Sequence, residues 1–249
     1  MFEFGPAVAI KICGVTSIAD ALLCGAAGAD MIGLNFSLQS LRCITPEGGA
    51  DIVASAREKF PRLKVVGVFV DQEPDFVQTL ATDLALDAVQ LHGNETVADV
   101  VLAGGGDPGG IDRRDLPARP GSAPPATMRR APFVIKALRI ATELPDVSAF
   151  ASHCGAILLD TWSAQAPGGT GETFPWSIAA GLRPQVSRLI LAGGLTSANV
   201  AEAIRRVRPF AVDVCSGVET APGHKDETKV RAFIRAVEEL NHEKTAIRA

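Results

Sequence analysis

AVAIKICGVT, residues 7–16, carries an apolar run of strand length that reaches a glycine directly after Cys13. Apolar residues then recur at helical spacing over residues 17–27, so the stretch predicts a strand followed by a helix. ILLDT, residues 157–161, repeats the arrangement with Asp160 in place of the thiol. One possible base and one possible acid therefore occupy equivalent positions at the ends of two predicted strands.

The same strand-length apolar pattern recurs along the whole chain. Eight such runs lie at residues 7–12, 31–36, 64–70, 88–91, 133–137, 156–160, 188–192 and 211–214. Helical periodicity separates most of them, at residues 17–27, 46–59, 74–85, 198–207 and 226–240. Strands that alternate with helices form parallel sheets, and eight repeats in a chain of 249 residues predict an α/β fold, a single (β/α)8 TIM barrel.

Local signals indicate where several of these helices begin and end. Thr16 or Ser17 can cap the first helix, and Ser197 can cap the seventh. Pro46 and Pro74 suit the first turn of a helix, and a glycine at position 28 is a plausible stop. These signals agree with the helical ranges that the periodicity indicates.

The alternation is interrupted once, over residues 104–130. This segment is crowded with glycine, proline and arginine and has almost no apolar pattern. We therefore predict one domain over residues 1–249 that carries an exposed insertion at about 104–130.

Composition and charge limit the partners of the protein. The net charge of −4 and the pI near 5.6 provide no basic stripe, which disfavours nucleic acid as a partner. No apolar run approaches the roughly 18 residues needed to cross a bilayer, and no export signal begins the sequence. The five cysteines are scattered and suggest neither a disulfide framework nor a zinc site, which favours the reducing cytoplasm.

Catalytic groups of parallel barrels come from the carboxyl ends of the strands. Cys13 and Asp160 meet that condition, and side-chain alternation places Lys11 on the same inward face as Cys13. Asp213 points inward on the last strand, and closure of the barrel makes it a neighbour of Lys11. Asp213 is then either a substrate contact or a structural partner of Lys11.

Two glycine-bearing segments follow the last two strands and suggest anion binding. AGGL contains Gly193 and Gly194, and CSGVE contains Cys215, Ser216 and Gly217. The loops after the seventh and eighth strands are the usual phosphate position of such barrels. Backbone amides at glycines can approach a phosphate closely, so no lysine is required there.

Taken together, the motifs of this chain resemble those of the phosphoribosylanthranilate isomerase family, in the order in which that family has them. They are KICGVT at 11–16, QLHG at 90–93, LLDT at 158–161, GGTGETFPW at 168–176, LAGGL at 191–195, DVCSGVE at 213–219 and GHKD at 223–226. The resemblance spans all of the chain except the insertion. It implies a cofactor-independent isomerase of tryptophan biosynthesis that performs an Amadori rearrangement on a small phosphosugar substrate.

The family resemblance also implies roles for individual residues. Asp160 would be the general acid that opens the furanose ring, and Cys13 would be the general base that removes the proton from C2 of the sugar. Arg42 would pair with the anthranilate carboxylate, and His92 would line the same pocket. Apart from the resemblance, the glycine content of the segment between Thr161 and Trp176 suits a loop that closes over bound substrate.

Two other functions remain open on the sequence. A metal-assisted pentose phosphate epimerase would use the same barrel, but the ligating histidines are not found. A catalytically silent phosphosugar-binding barrel is the second alternative, and it is disfavoured by the presence of both Cys13 and Asp160. The sequence is compatible with a monomer or a homodimer.

Three positions depart from the family pattern. Leu41 stands where a proline is common, and Pro175 stands where an aspartate is common. Cys215 replaces a usual serine, so a phosphate contact there would use the backbone amide without a hydroxyl donor. The other cysteines, Cys24, Cys43 and Cys154, are expected to be packing residues or chance surface residues.

Overall fold

The structure is a computed structural model that describes residue 4 and residues 7–104, 132–140, 146–161 and 176–246. Its central feature is a closed barrel of eight parallel strands in chain order, in which the last strand pairs with the first. The strands are β1 (Ala9–Cys13), β2 (Met31–Asn35), β3 (Lys64–Phe69), β4 (Ala88–Leu91), β5 (Phe133–Ile140), β6 (Ala156–Thr161), β7 (Leu189–Leu191) and β8 (Ala211–Val214). The predicted TIM barrel is therefore confirmed.

Helices follow the strands along the described part of the chain. They are α1 (Ile18–Ala27), α2 (Pro46–Lys59), α3 (Pro74–Asp83), α4 (Val97–Leu102), α5 (Ser148–Ala151), α6 (Trp176–Leu182), α7 (Val200–Val207) and α8 (Glu227–Ala246). After β8 come a short 3-10 helix (Ser216–Val218) and a hairpin of two short strands, β9 (Glu219–Ala221) and β10 (His224–Lys225). None of the helices in the described ranges is long and apolar enough to cross a lipid bilayer.

Most predicted helix ends are confirmed by the cap geometry. The Ser17 side chain accepts a hydrogen bond from the backbone N–H of Asp20, and Gly28 ends α1 at φ 102°. The prediction that Ser197 caps the seventh helix is wrong. That helix begins at Val200, and Asn199 at its N-cap directs its side chain back into the preceding loop, where its Oδ1 accepts from Thr196 N–H at 2.8 Å.

Side-chain alternation produces two apolar layers. The barrel interior is filled mainly by small and branched residues of the strands, namely Ala9, Met31, Val66, Ala88, Ile135, Ala137, Ala156, Leu158, Ile190, Ala192 and Ala211. Residues between them, such as Ile10 and Ile12 of β1, face the helices and join a second layer. Because β1 alternates in this way, Lys11 is turned into the barrel, where none of its surface is exposed.

Two predictions lie outside the described residues. One is the exposed insertion at about 104–130, of which only Gly104 is described. The other is the loop between Thr161 and Trp176, together with Pro175 in it. Both stay predictions.

Candidate active site

One cavity opens at the carboxyl ends of the barrel strands and collects every predicted site residue. Its lining includes Cys13 after β1, Arg42 after β2, His92 after β4, Asp160 on β6, Gly193 and Gly194 after β7, and Asp213, Cys215, Ser216 and Gly217 on or after β8. These residues are distant in sequence, and the closed barrel brings them together. Among the described residues, no three His, Cys, Asp or Glu side chains are grouped so that they could hold a metal ion.

Lys11 and Asp213 form a buried ion pair on the floor of this cavity. They are register partners on β1 and β8, and Lys11 Nζ lies 3.0 Å from Asp213 Oδ1. Burial raises the pKa of Asp213 to about 7, assisted by the nearby Cys13 and opposed by Lys11. Burial alone would lower the pKa of Lys11, but Asp213 and Cys13 outweigh it and raise that pKa. Lys11 thus faces two acidic groups, Asp213 and Cys13. Because two negative charges so close together repel each other, the pair retains a proton more readily than either group would alone.

The Cys13 thiol has an environment that favours its thiolate. Hydrogen bonding with the Cys215 thiol is the largest cause that lowers the pKa of Cys13 well below its ordinary value. Burial opposes the shift, while the positive charges of Lys11 and Lys225 add to it. Gly33 on β2 makes room for this cluster, because a Cβ there would lie 2.8 Å from the Cys13 sulfur and 3.0 Å from Lys11 Nζ. A thiolate at the end of β1 is a competent base near neutral pH.

We expect the Cys13 thiolate to persist at a pH where ordinary thiols are protonated, because a lowered pKa keeps the deprotonated form populated as the pH falls. The rate of Cys13 alkylation by iodoacetamide, followed by peptide mass, should therefore have an acid-shifted midpoint. Lys11→Met removes a positive neighbour and should move that midpoint upward. The double variant K11M/D213N serves as a control in which no carboxylate is left without its partner. A midpoint that is the same in wild type and in both variants would contradict the assigned effect of Lys11.

Asp160 faces the cavity from β6 and is paired with His92. The two side chains are 15% and 18% exposed, and His92 Nε2 lies 3.2 Å from Asp160 Oδ2. On its other side, His92 Nδ1 lies 2.9 Å from Nε2 of the buried Gln90. His92 thus bridges the buried Gln90 amide and the Asp160 carboxylate, with Nε2 on the side of Asp160. Because Asp160 lines the cavity, its carboxyl group is placed where it can exchange a proton with a ligand.

The loop that carries His92 is anchored by a second buried ion pair. Lys136 of β5 donates from Nζ to Glu95 Oε2 at 2.7 Å and to the Gly93 carbonyl at 2.8 Å. Glu95 in turn accepts from the backbone N–H of Gly93 at 2.9 Å. The sequence analysis missed this pair, since nothing in the spacing of residues 95 and 136 marks them as neighbours.

Arg42 is held by a carboxylate that the sequence analysis also missed. Its Nη2 lies 2.6 Å from Glu219 Oε2, and its Nε lies 2.9 Å from Glu219 Oε1. Lys225 donates both to Glu219 Oε1 at 2.7 Å and to the Cys13 carbonyl at 2.5 Å. Burial acts to raise the pKa of Glu219, but Arg42 and Lys225 outweigh it and hold that pKa below its usual range. Two cations around one carboxylate leave a surplus positive charge at this side of the cavity.

The geometry of Arg42 leaves part of its guanidinium for a ligand. The bidentate contact with Glu219 uses Nε and Nη2, so the Nη1 hydrogens remain for a second acceptor in the cavity that Arg42 lines. Leu41, the residue before Arg42, is exposed. The position of the guanidinium therefore depends on its contact with Glu219 and not on the packing of Leu41. The Glu219 contact thus fixes Arg42 directly after Leu41, the position where a proline is common in the family.

The glycines after β7 and β8 shape another part of the cavity lining. Gly193 and Gly194 take φ values of 84° and 61°, a region that side chains disfavour. Gly217 packs against the loop after β7, where a Cβ would lie 2.0 Å from the Leu195 carbonyl oxygen. Asn199 braces the first of these loops by donating to the Gly194 carbonyl at 2.9 Å. The two loops therefore lie together, and the first-turn N–H groups of the 3-10 helix have no partner within that helix.

Comparison with protein families gives a match over most of the chain. The family model described as N-(5'phosphoribosyl)anthranilate (PRA) isomerase matches residues 10–106 and 125–236. The residues between the two matched ranges belong to the segment for which the sequence analysis predicts an insertion.

Individual relatives agree with the family match. An N-(5'-phosphoribosyl)anthranilate isomerase from Pelobacter propionicus is 42% identical over 238 residues, which cover 96% of this chain and 99% of that protein. The crystal structure of the phosphoribosyl anthranilate isomerase from Thermotoga maritima is 35% identical, with a TM-score of 0.77 and coverage of 93% of this chain and 99% of that one. A further structure of such an enzyme, in complex with reduced 1-(o-carboxyphenylamino)-1-deoxyribulose 5-phosphate, has a TM-score of 0.73 at 35% identity and the same coverage. This chain belongs to the N-(5'-phosphoribosyl)anthranilate isomerase family.

Proposed function

We propose that this protein converts N-(5-phosphoribosyl)anthranilate to 1-(2-carboxyphenylamino)-1-deoxyribulose 5-phosphate, a step of tryptophan biosynthesis, with Cys13 as the base and Asp160 as the acid. The observation that carries the proposal is the presence of both groups on the lining of one cavity, with the two glycine loops after β7 and β8 between their strands. We infer a cytoplasmic enzyme, and the free state of all five cysteines supports a reducing compartment.

The phosphate would be held by the backbone of the two glycine loops. Gly193 and Gly194 would contribute from the loop after β7, and Cys215, Ser216 and Gly217 would contribute from the start of the 3-10 helix. Strands β7 and β8 lie between β6 and β1 in the closed sheet. A phosphate fixed there places the sugar between Asp160 and Cys13, so that both proton transfers become effectively intramolecular.

Ring opening is the first chemical step. Asp160 donates a proton to the ring oxygen of the furanose, and the bond between the ring oxygen and C1 breaks. The lone pair of the anthranilate nitrogen forms a double bond to C1, which gives a protonated Schiff base. His92 keeps Asp160 aimed into the cavity through the 3.2 Å contact at Oδ2.

Proton removal from C2 is the second step. The Cys13 thiolate takes this proton, the electrons of the C–H bond form a double bond between C2 and C1, and the Schiff base nitrogen is neutralised. Protonation of C1 with formation of the C2 carbonyl completes the rearrangement. Lys11, which stays charged beside Cys13 and Asp213, favours the thiolate at the start of this step.

Arg42 would bind the anthranilate carboxylate through the guanidinium edge that Glu219 leaves available. Asp213 would act mainly through Lys11, to which it is bound at 3.0 Å, although it also reaches the cavity lining. No step requires a cofactor or a metal ion, because both proton transfers are carried by side chains of this chain.

Glu219→Gln is expected to raise KM about tenfold, which corresponds to roughly 1.4 kcal/mol of lost binding, with a smaller effect on kcat. The glutamine keeps the shape of Glu219 but removes the charge that fixes the Arg42 guanidinium. Steady-state kinetics of the purified variant measures the effect. The matched control is Glu202→Gln, which removes a carboxylate from an exposed ion pair with Arg206 on α7. An unchanged KM in Glu219→Gln would show that Arg42 needs no such support.

A spectroscopic assay of freshly prepared phosphoribosylanthranilate tests the proposed function directly. Catalytic amounts of the protein should accelerate the loss of substrate and form the open-chain product, with equal rates in the presence and absence of a chelator. Sensitivity to the chelator would favour a metal-assisted epimerase type of chemistry. Tight binding of the reduced product analogue without any turnover would instead establish a silent phosphosugar-binding barrel.

A further inference from the structure

We propose that Cys13 and Cys215 are a redox modification site at which a peroxide converts the two thiols to a reversible disulfide. Formation of this disulfide does not depend on the proposed isomerase function, since it requires only the two thiols and a peroxide. If Cys13 is the base of the isomerase, the same bond also switches the enzyme off.

The positions of the two cysteines in the barrel satisfy the first requirement of a disulfide. Ile12 of β1 and Val214 of β8 are register partners, and each is followed directly by one of the two cysteines. Neighbouring strands lie about 4.8 Å apart, within the roughly 4.4–6.8 Å that separates the Cα atoms of disulfide-bonded cysteines. Both side chains are on the inward face and line the same cavity.

The two thiols also influence each other's protonation, because each is the largest cause of the shift in the other's pKa. Cys215 donates its thiol hydrogen towards Glu219 Oε1 at 3.8 Å. Both cysteines are partly exposed and line the same cavity. A small oxidant that enters the cavity therefore meets both sulfur atoms. The register of β1 and β8 places the two cysteines side by side at the ends of neighbouring strands.

The other three cysteines lack these properties. Cys24 is fully buried in the helix layer, and burial raises its pKa to about 12. Burial likewise raises the pKa of Cys154 to about 11 and that of Cys43 above its ordinary value. Thiols are oxidised as thiolates, so Cys13 is the expected first target.

The oxidation proceeds in two balanced steps. The Cys13 thiolate attacks one peroxide oxygen, the O–O bond breaks, and hydroxide leaves and becomes water, which yields a sulfenic acid on Cys13. The Cys215 sulfur then attacks the Cys13 sulfur, the S–O bond breaks, and a second water leaves. In total, the two thiols lose two electrons to one molecule of hydrogen peroxide, whose two oxygen atoms leave as two water molecules.

The environment of Cys215 changes in favour of the second step once the first has occurred. In the reduced protein, the hydrogen bond to the Cys13 thiolate is the main cause that raises the pKa of Cys215 well above its ordinary value. Burial adds to this effect, while Lys225 and Arg42 favour the Cys215 thiolate. Conversion of Cys13 to an uncharged sulfenic acid removes the anion that held the proton on Cys215. The remaining positive neighbours then assist the resolving thiolate.

Hydrogen peroxide treatment of the purified full-length protein, followed by peptide mapping and thiol counting, tests the proposal. The expected first product has lost two of the five thiols and contains a peptide pair joined through Cys13 and Cys215. Isomerase activity should fall in parallel with this product and return on addition of dithiothreitol. A disulfide between any other pair, or oxidation of Cys13 with no joined peptide, would overturn the proposal.

Two variants sharpen this test. In Cys215→Ser the resolving sulfur is absent, so Cys13 should proceed to sulfinic acid, and whatever activity the untreated variant has should be lost irreversibly. Cys154→Ser is the matched control and should form the Cys13–Cys215 bond as the wild type does. If the joined peptides form without any loss of activity, the modification site is supported but Cys13 is not the base. The redox proposal and the proposed catalytic role of Cys13 can therefore fail separately.

Discussion

Replacing Cys13 with serine is expected to lower kcat by roughly 10³-fold or more, at the upper part of the 10²–10⁴ range that a general base contributes. A serine hydroxyl is close in size to the thiol but remains protonated near neutral pH, so no base is left to take the proton from C2. The Lys11 and Cys215 contacts that stabilise a thiolate cannot make an alkoxide of it. Steady-state turnover of phosphoribosylanthranilate by the purified variant measures the loss.

The control for Cys13→Ser is the same substitution at Cys154, which does not line the cavity. Cys154→Ser should keep wild-type turnover, and both variants should keep the melting temperature of the wild type within a few degrees, because neither change opens a large hole in the core. Turnover by Cys13→Ser within tenfold of the wild type would remove Cys13 from the role of base.

The barrel itself is predictable from the sequence because its signals are local. Each strand is a short apolar run followed by turn or helix signals, and the observed strands differ from the predicted runs by a few residues at most. The pairing of Lys11 with Asp213 was predictable for the same reason. Alternation turns both residues inward, and closure of an eight-stranded barrel makes β1 and β8 neighbours.

The supports of the active site were not predictable, because they depend on contacts between distant segments. Glu219 lies in a hairpin after β8 that has no periodic pattern, and its partner Arg42 is 177 positions away in the chain. The pair of Glu95 and Lys136 joins a loop to a strand across 41 positions. Buried ion pairs of this kind are fixed by the tertiary structure, so spacing gives no signal for them.

Short helices were the other part of the fold that the sequence left out. Helices α4 and α5 have six and four residues, too few for a helical period to be read. Helix α4 nevertheless carries a capping box, in which Thr96 and Asp99 bond to each other's backbone N–H groups. That motif was visible in the sequence and could have revealed the helix.

The two proposed catalytic groups, Cys13 and Asp160, have different surroundings. Cys13 is surrounded by donors and cations, which favour its deprotonated form before substrate arrives. Asp160 instead contacts the His92 imidazole through Oδ2 at 3.2 Å, and its carboxyl group lines the cavity. One strand end is therefore prepared to accept a proton, and the other is positioned to deliver one.

Asp160→Asn is expected to lower kcat by roughly 10²–10⁴-fold, the range of a general acid, because an amide cannot protonate the ring oxygen. The substitution preserves shape, and the asparagine carbonyl can still accept the hydrogen bond from His92 Nε2. Binding groups are untouched, so the reduced product analogue should bind with an affinity close to that of the wild type. Kinetics and a direct binding measurement on the same preparation separate the two effects.

Asp83→Asn, an exposed aspartate at the end of α3, is the matched control and should leave both kcat and analogue binding unchanged. If Asp160→Asn loses analogue binding as completely as turnover, Asp160 is a binding residue and not the acid. If it retains turnover within tenfold of the wild type, ring opening must draw its proton from another group, and His92, 3.2 Å from Asp160, is a candidate. The acid role stands only where turnover is lost and binding is kept, since an acid acts on the transition state and contributes little to the affinity of a ring-opened ligand.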